Sequence, residues 1–174
     1  MKTEELEIPG VVLVKPQRHE DERGWFMEIL REDAFGATFV QSNHSHSREG
    51  VLRGLHYHRE QSDAWYVVSG EGRAGLADLR TRTERPPVMT VELSADDPAV
   101  LYLPPGVAHG FYAVTDLDLI YWVTRYFDNA DEFGVPWDDP ALEVPWKVTD
   151  PILSERDRTV EPLDWDRVKE MMGR

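Results

Sequence analysis

The chain has no cysteine among its 174 residues. That absence removes a disulfide framework, a thiolate metal site and a cysteine nucleophile, and it suits a reducing compartment. Long apolar runs are missing as well: none approaches the ~20 residues a membrane-spanning helix needs. The N-terminal MKTEELEIPG is acidic where a secretory signal would be basic and then apolar. These features predict a cytoplasmic protein with no membrane partner. Basic residues are scarce, with 19 lysines and arginines against 33 aspartates and glutamates and a net charge of −14. A nucleic-acid groove would show a basic stripe, and none is present, so nucleic acid is not an expected partner. An anionic small ligand would have to be held by individually placed arginines against an unfavourable overall field.

What the chain does contain is a series of short apolar, β-branched and aromatic runs. Gly10 precedes VVLVK, DERG separates it from WFMEIL, and FVQSNHS, RAGLADLR, MTVEL, VLYL and LDLIYWVTRYF follow, with glycine or proline between them. Strands recurring every ~8–12 residues predict a sandwich or barrel, not βαβ units. The expected fold is all-β, a double-sheet jelly roll of the cupin type. Residues 1–174 form one unit without internal repeats, its core lying at about residues 10–127. From 128 to 174 the chain is rich in proline and tryptophan, too aromatic for a linker and too broken for a long helix. It reads as a loop packed over the barrel, ending in a short helix, DWDRVKEMM, capped at Asp164.

The stretch with most chemistry is GVLRGLHYHREQSDAWYVVSG, residues 50–70, two strands joined by a polar turn. His56 and His58 are two apart, so on a strand they share a face, with Arg53 on the same strand and Asp63 opening the next. So many ionisable groups are a poor way to fill a core and a good way to hold an anion, a proton in transfer or a metal. Upstream, FVQSNHS alternates Val40, Ser42 and His44 on one face with Gln41, Asn43 and Ser45 on the other. Tyr121 in LIYWVT and Asp157 in LSERD are, taken alone, a packed aromatic and a turn or cap residue. They become functional only if the fold brings them to His56.

VLRGLHYH, LPPGVAHGF, IYWVTRYF, VPWDDP and LSERD, with DERGWFME and FVQSNHS upstream, resemble the dTDP-4-dehydrorhamnose 3,5-epimerases, in order, from about residue 10 to 165. The resemblance implies a cupin fold and a homodimer whose N-terminal residues reach the neighbouring site. It also implies a cofactor-free proton transfer on a nucleotide-diphosphate-linked 4-keto-6-deoxyhexose. By the same resemblance His56 is the base, Asp157 the carboxylate on its Nδ1–H, leaving Nε2 to take the proton, and Tyr121 the acid. Substrate binding falls to Arg23, Glu28, Gln41, Asn43, Arg53 and His109.

The chain departs from that family inside residues 50–70. His58 stands where the family has glutamine, Asp63 where it has a lysine, and Tyr66 where an arginine is common. A carboxylate in place of a cation reverses the sign of the field at a developing enolate, an interaction worth about 2.7–4 kcal/mol when desolvated. The spacing from Gly50 through His56, His58 and Asp63 to Gly70, with Pro104, Gly106 and His109 downstream, matches a metal-binding cupin pattern with aspartate for glutamate. His56, His58, Asp63 and His109 are therefore candidate ligands for Fe²⁺, Mn²⁺, Ni²⁺ or Zn²⁺. Beside the epimerase stand two alternatives: a metal-dependent cupin enzyme on a related keto-sugar, and a sugar-nucleotide-binding protein without chemistry.

Overall fold

The computed structural model describes residues 1–172. The chain opens with β1 (Lys2–Glu5) and β2 (Val12–Lys15), then a hairpin of β3 (Arg18–Asp21) and β4 (Gly24–Met27). A single helical turn, α1 (Glu32–Phe35), precedes β5 (Gln41–Ser47), β6 (Leu52–Tyr57), β7 (Asp63–Ser69) and β8 (Glu71–Asp78). After these come β9 (Val88–Ser94), β10 (Val100–Leu103), β11 (Val107–Ala113) and β12 (Leu117–Val123). The two-residue β13 (Phe133–Gly134) and the helices α2 (Glu155–Thr159) and α3 (Trp165–Met172) complete it.

One sheet has the order β1-β2-β10-β7-β12-β5 and the other β13-β6-β11-β8-β9, with β3-β4 apart. Their ladders are antiparallel, as the alternating runs and short turns require. The inner faces meet in a core of Ile8, Trp65, Leu76, Leu101, Phe111 and Leu119, among others, with Trp65 edge-on to Phe111 at 5.7 Å. Strand β1, in the acidic N-terminal stretch, lies outside the expected pattern: its four exposed residues carry no apolar alternation, and it pairs antiparallel with β2.

The proline- and tryptophan-rich segment does pack on the barrel. Val135, Leu142, Trp146 and Val168 are buried in one cluster with Leu52, Leu55 and Leu79. Trp146 donates its Nε1–H to the Trp137 carbonyl at 2.8 Å, and its ring occupies the space beside Gly75, where an added Cβ would come within 2.4 Å of it. The C-terminal helix starts where the sequence predicts, with the Asp164 carboxylate accepting from the Asp166 and Arg167 amides.

Candidate active site

A cavity of about 820 Å³ opens at one end of the sandwich, between β5 and β12 on one wall and β6 and β11 on the other. On the first wall Asn43 pairs with Tyr121 and Gln41 with Val123 in register. Strand alternation turns Gln41, Asn43 and Ser45 into the cavity together with Tyr121, the face expected from FVQSNHS. On the second wall His56 lies opposite His109 and Arg53 opposite Phe111. Between those two pairs β6 carries three residue steps against two on β11, a bulge. The extra residue explains why Arg53 and His56, three apart and so on opposite faces of a regular strand, both line the cavity. Two glycines permit the close crossing. Gly54, at φ +111°, would place a Cβ 2.6 Å from the Gly110 Cα, and a Cβ on Gly110 would lie 2.5 Å from the Arg53 carbonyl oxygen.

His56 Nε2 lies 2.7 Å from Asp157 Oδ1, joining residues 101 apart in sequence. Asp157 is buried in the first turn of α2, whose N-cap Ser154 accepts the Asp157 amide at 3.1 Å. Burial pushes the Asp157 carboxyl up, but the hydrogen bond and charge of His56, helped by Ser154 and the Gly54 amide, outweigh it. The group is held below the ordinary carboxylate range. The sequence reading expects this carboxylate on Nδ1; the structure gives it Nε2 instead. The helix α2 approaches the far edge of the ring, so Nε2–H is the donor and Nδ1 keeps the lone pair. Tyr121 faces the cavity from the opposite sheet. Burial raises its phenol above the ordinary value, Asp63 and Glu132 add to that, and Arg53 opposes it, so the hydroxyl stays protonated.

The four candidate metal ligands do not form one cluster. His58, Asp63 and His109 converge, their ligand atoms within 4.8 Å of one another, while His56 is engaged with Asp157. His109 Nδ1 donates to the Val107 carbonyl at 2.9 Å and His58 Nδ1 to the Asp131 carbonyl at 2.7 Å. Burial drives His109 down to about 4, against the pull of Asp63 and with repulsion from His58 and His56. His109 is therefore neutral, and its 3.8 Å separation from Asp63 Oδ2 is no ion pair at neutral pH.

Among the substrate-binding candidates, Gln41, Asn43, Arg53 and His109 reach the cavity. The Arg53 guanidinium donates to Ser47 Oγ at 2.9 Å and to the His46 carbonyl at 3.0 Å, neither of which neutralises it. Arg23 and Glu28 do not reach this chain's cavity. Arg23 sits in the β3–β4 turn, its side chain 84% exposed and bound to Asp21, and Glu28 follows β4 near Arg31. Arg59, Arg125, Tyr126 and Phe127 also line the cavity, and the sequence reading missed them. TRYF reads as the end of a strand, but β12 stops at Val123 and these residues form the rim. The one arginine and two aromatics of that loop, Arg125, Tyr126 and Phe127, are the available signal there, and Arg59 lies in the connection from β6 to β7.

The family profile described as dTDP-4-dehydrorhamnose 3,5-epimerase matches residues 5–164. A curated epimerase of that name from Methanothermobacter thermautotrophicus is 38% identical, over 90% of this chain and 91% of its own length. A crystal structure of the Legionella pneumophila enzyme in complex with dTDP-4-keto-L-rhamnose superposes with a TM-score of 0.83, 30% identity, and 92% of each chain covered. A 3′-monoepimerase from Streptomyces bikiniensis in complex with dTDP-quinovose superposes at 0.81, also 30% identical, covering 97% of this chain and 89% of its own. With the fold, the motifs and the full-length match in agreement, the chain belongs to the dTDP-4-dehydrorhamnose 3,5-epimerase family.

Proposed function

We propose that this protein epimerises a dTDP-4-keto-6-deoxyhexose at C3, C5 or both, without a cofactor. The ketone at C4 acidifies the neighbouring C–H bonds. His56 Nδ1 removes a proton, Asp157 stabilises the imidazolium through Nε2–H, and the electron pair moves onto the C4 oxygen as an enolate. Tyr121, on the opposite sheet, returns a proton to the other face of the carbon, and solvent restores both groups. Support comes above all from the 2.7 Å contact of His56 with Asp157, a base and its orienting carboxylate on the wall facing Tyr121. Arg53, with Gln41 and Asn43, is proposed to bind the nucleotide diphosphate, for which a guanidinium supplies paired donors.

Arg23 and Glu28 have a role in this reading only if a second copy supplies them. The hairpin bearing Arg23 projects with Trp25 at 57% and Phe26 at 65% exposure, an apolar surface suited to a partner subunit. The protein is accordingly proposed to act as a homodimer with composite sites.

The test is solvent deuterium incorporation into dTDP-4-keto-6-deoxyglucose, followed by NMR at C3 and C5. The wild type should exchange at one or both carbons, and His56→Ala should lower the rate by about 10²–10⁴-fold, the usual worth of a general base. A well-folded wild type that binds the nucleotide sugar yet exchanges neither position would remove the proposal.

A further inference from the structure

We infer that His58, Asp63 and His109 form a binding site for one divalent first-row transition metal, distinct from the His56–Asp157 pair. A backbone carbonyl can only accept, so His58 and His109 must each carry their proton on Nδ1, toward Asp131 and Val107. In the neutral ring each Nε2 then presents a lone pair. Both lone pairs converge with the Asp63 carboxylate, the ligand atoms lying within 4.8 Å of one another. Three acceptors thus face one point, and a cation is what that point can accommodate.

Asp63 strengthens the case. It is 5% exposed, accepts one good hydrogen bond from Gln61 Nε2 at 2.8 Å, and receives a long one from Trp65 Nε1 at 3.4 Å. A buried carboxylate is normally paired with a cation or bound to a metal. The imidazoles have the outer contacts expected of ligands, since a carbonyl on Nδ1–H fixes the tautomer and the ring orientation. His58 and His109 rings lie 5.5 Å apart and Trp65 stands edge-on to His109 at 5.3 Å, which holds that ring in place. Bonds of about 2.1 Å put tetrahedral ligands about 3.4 Å apart. Asp63 Oδ2 and His109 Nε2, at 3.8 Å, need only a small inward adjustment.

Two imidazoles and one carboxylate suit Fe²⁺, Mn²⁺, Co²⁺, Ni²⁺ or Zn²⁺ and leave positions open toward the cavity, where a carbonyl or enolate oxygen is a fitting ligand. This site adds to the cavity described above, and metal binding does not depend on the epimerase reading.

The test uses the full chain without a histidine tag, stripped with chelator and titrated with Co²⁺ and with Zn²⁺. Metal analysis after desalting and the visible Co²⁺ spectrum are the readouts. The wild type should take up about one ion per chain with a new Co²⁺ absorption band. Losing an outer contact of a metal ligand costs about 10–100-fold in affinity, so Asp63→Asn and His58→Gln should each weaken binding by at least about 100-fold. His56→Ala should bind as the wild type does. Circular dichroism establishes that each variant is folded; if one is not, the other and the wild type decide. The inference is overturned by a wild type that binds neither Co²⁺ nor Zn²⁺. It is also overturned by Asp63→Asn binding equally well, the result if a shared proton fills the site, or by His56→Ala losing the ion. Because deuterium exchange is measured separately, a protein that exchanges deuterium but takes up no ion removes the metal site alone, and a metal-binding protein without exchange removes the epimerase reading alone.

Discussion

At the residue scale, the His56–Asp157 pair and Tyr121 divide the proposed chemistry between two walls. A half-buried phenol whose ionisation lies above the ordinary value keeps its proton throughout the neutral range. It can therefore donate, and it cannot serve as the base. Replacing it with phenylalanine removes the return of the proton to one face without touching abstraction at the other. We expect Tyr121→Phe to lower epimerisation by about 10²-fold or more while solvent exchange at the same carbon persists. Parallel NMR of exchange and of product stereochemistry will separate the two. Equal loss of both would assign Tyr121 to the abstraction step or to binding instead.

At the scale of elements, the bulge on β6 is the feature that builds the second wall. By bringing Arg53 and His56 to one side, it assembles in a six-residue strand what regular alternation would divide. The C-terminal segment supports that strand from behind, with Trp146 packed against Gly75 of β8 and Leu52 and Leu55 of β6 in the same buried cluster. Gly75→Ala should destabilise the fold by about 1–3 kcal/mol through overpacking. Trp146→Ala, which opens a cavity, should cost about 3–5 kcal/mol. Urea denaturation measures both. If the segment were a loose covering, neither midpoint would move. The helix α2 is the other decisive element: five residues long, it delivers Asp157 to the edge of the imidazole and so chooses which nitrogen is left for a proton.

For the whole molecule, the unaccompanied hairpin of β3 and β4 raises the matter of assembly. Arg23 is exposed in one copy and absent from that copy's cavity. In a two-fold dimer with exchanged hairpins, each site would combine His56 of one subunit with Arg23 of the other. Arg23→Ala and His56→Ala homodimers would each be impaired. Mixed, dissociated and reassembled, they should recover about a quarter of the wild-type sites, since half the dimers are hybrid and each hybrid has one intact site. Activity after remixing, with light scattering for the oligomeric state, checks this. No recovery from a confirmed mixed dimer would return Arg23 to a role outside the site.

Much of this was legible in the chain itself. Apolar alternation between glycine and proline turns specifies a two-sheet all-β fold, because burying one face of each strand leaves few other arrangements. Ordered motifs identify the family, and the period of two groups Gln41, Asn43 and Ser45 on one face, which the fold turns toward the cavity. Tertiary structure decided what depends on contacts between distant segments and on departures from regular geometry. A bulge cannot be read from residue types, so the shared wall of Arg53 and His56 was hidden. Nor can the approach of α2, which gives Asp157 the Nε2 edge of His56. The same holds for the candidate metal ligands. His56 and His58 look equivalent at a spacing of two, but Asp157 takes the first, and the Asp131 carbonyl turns the second toward Asp63 and His109.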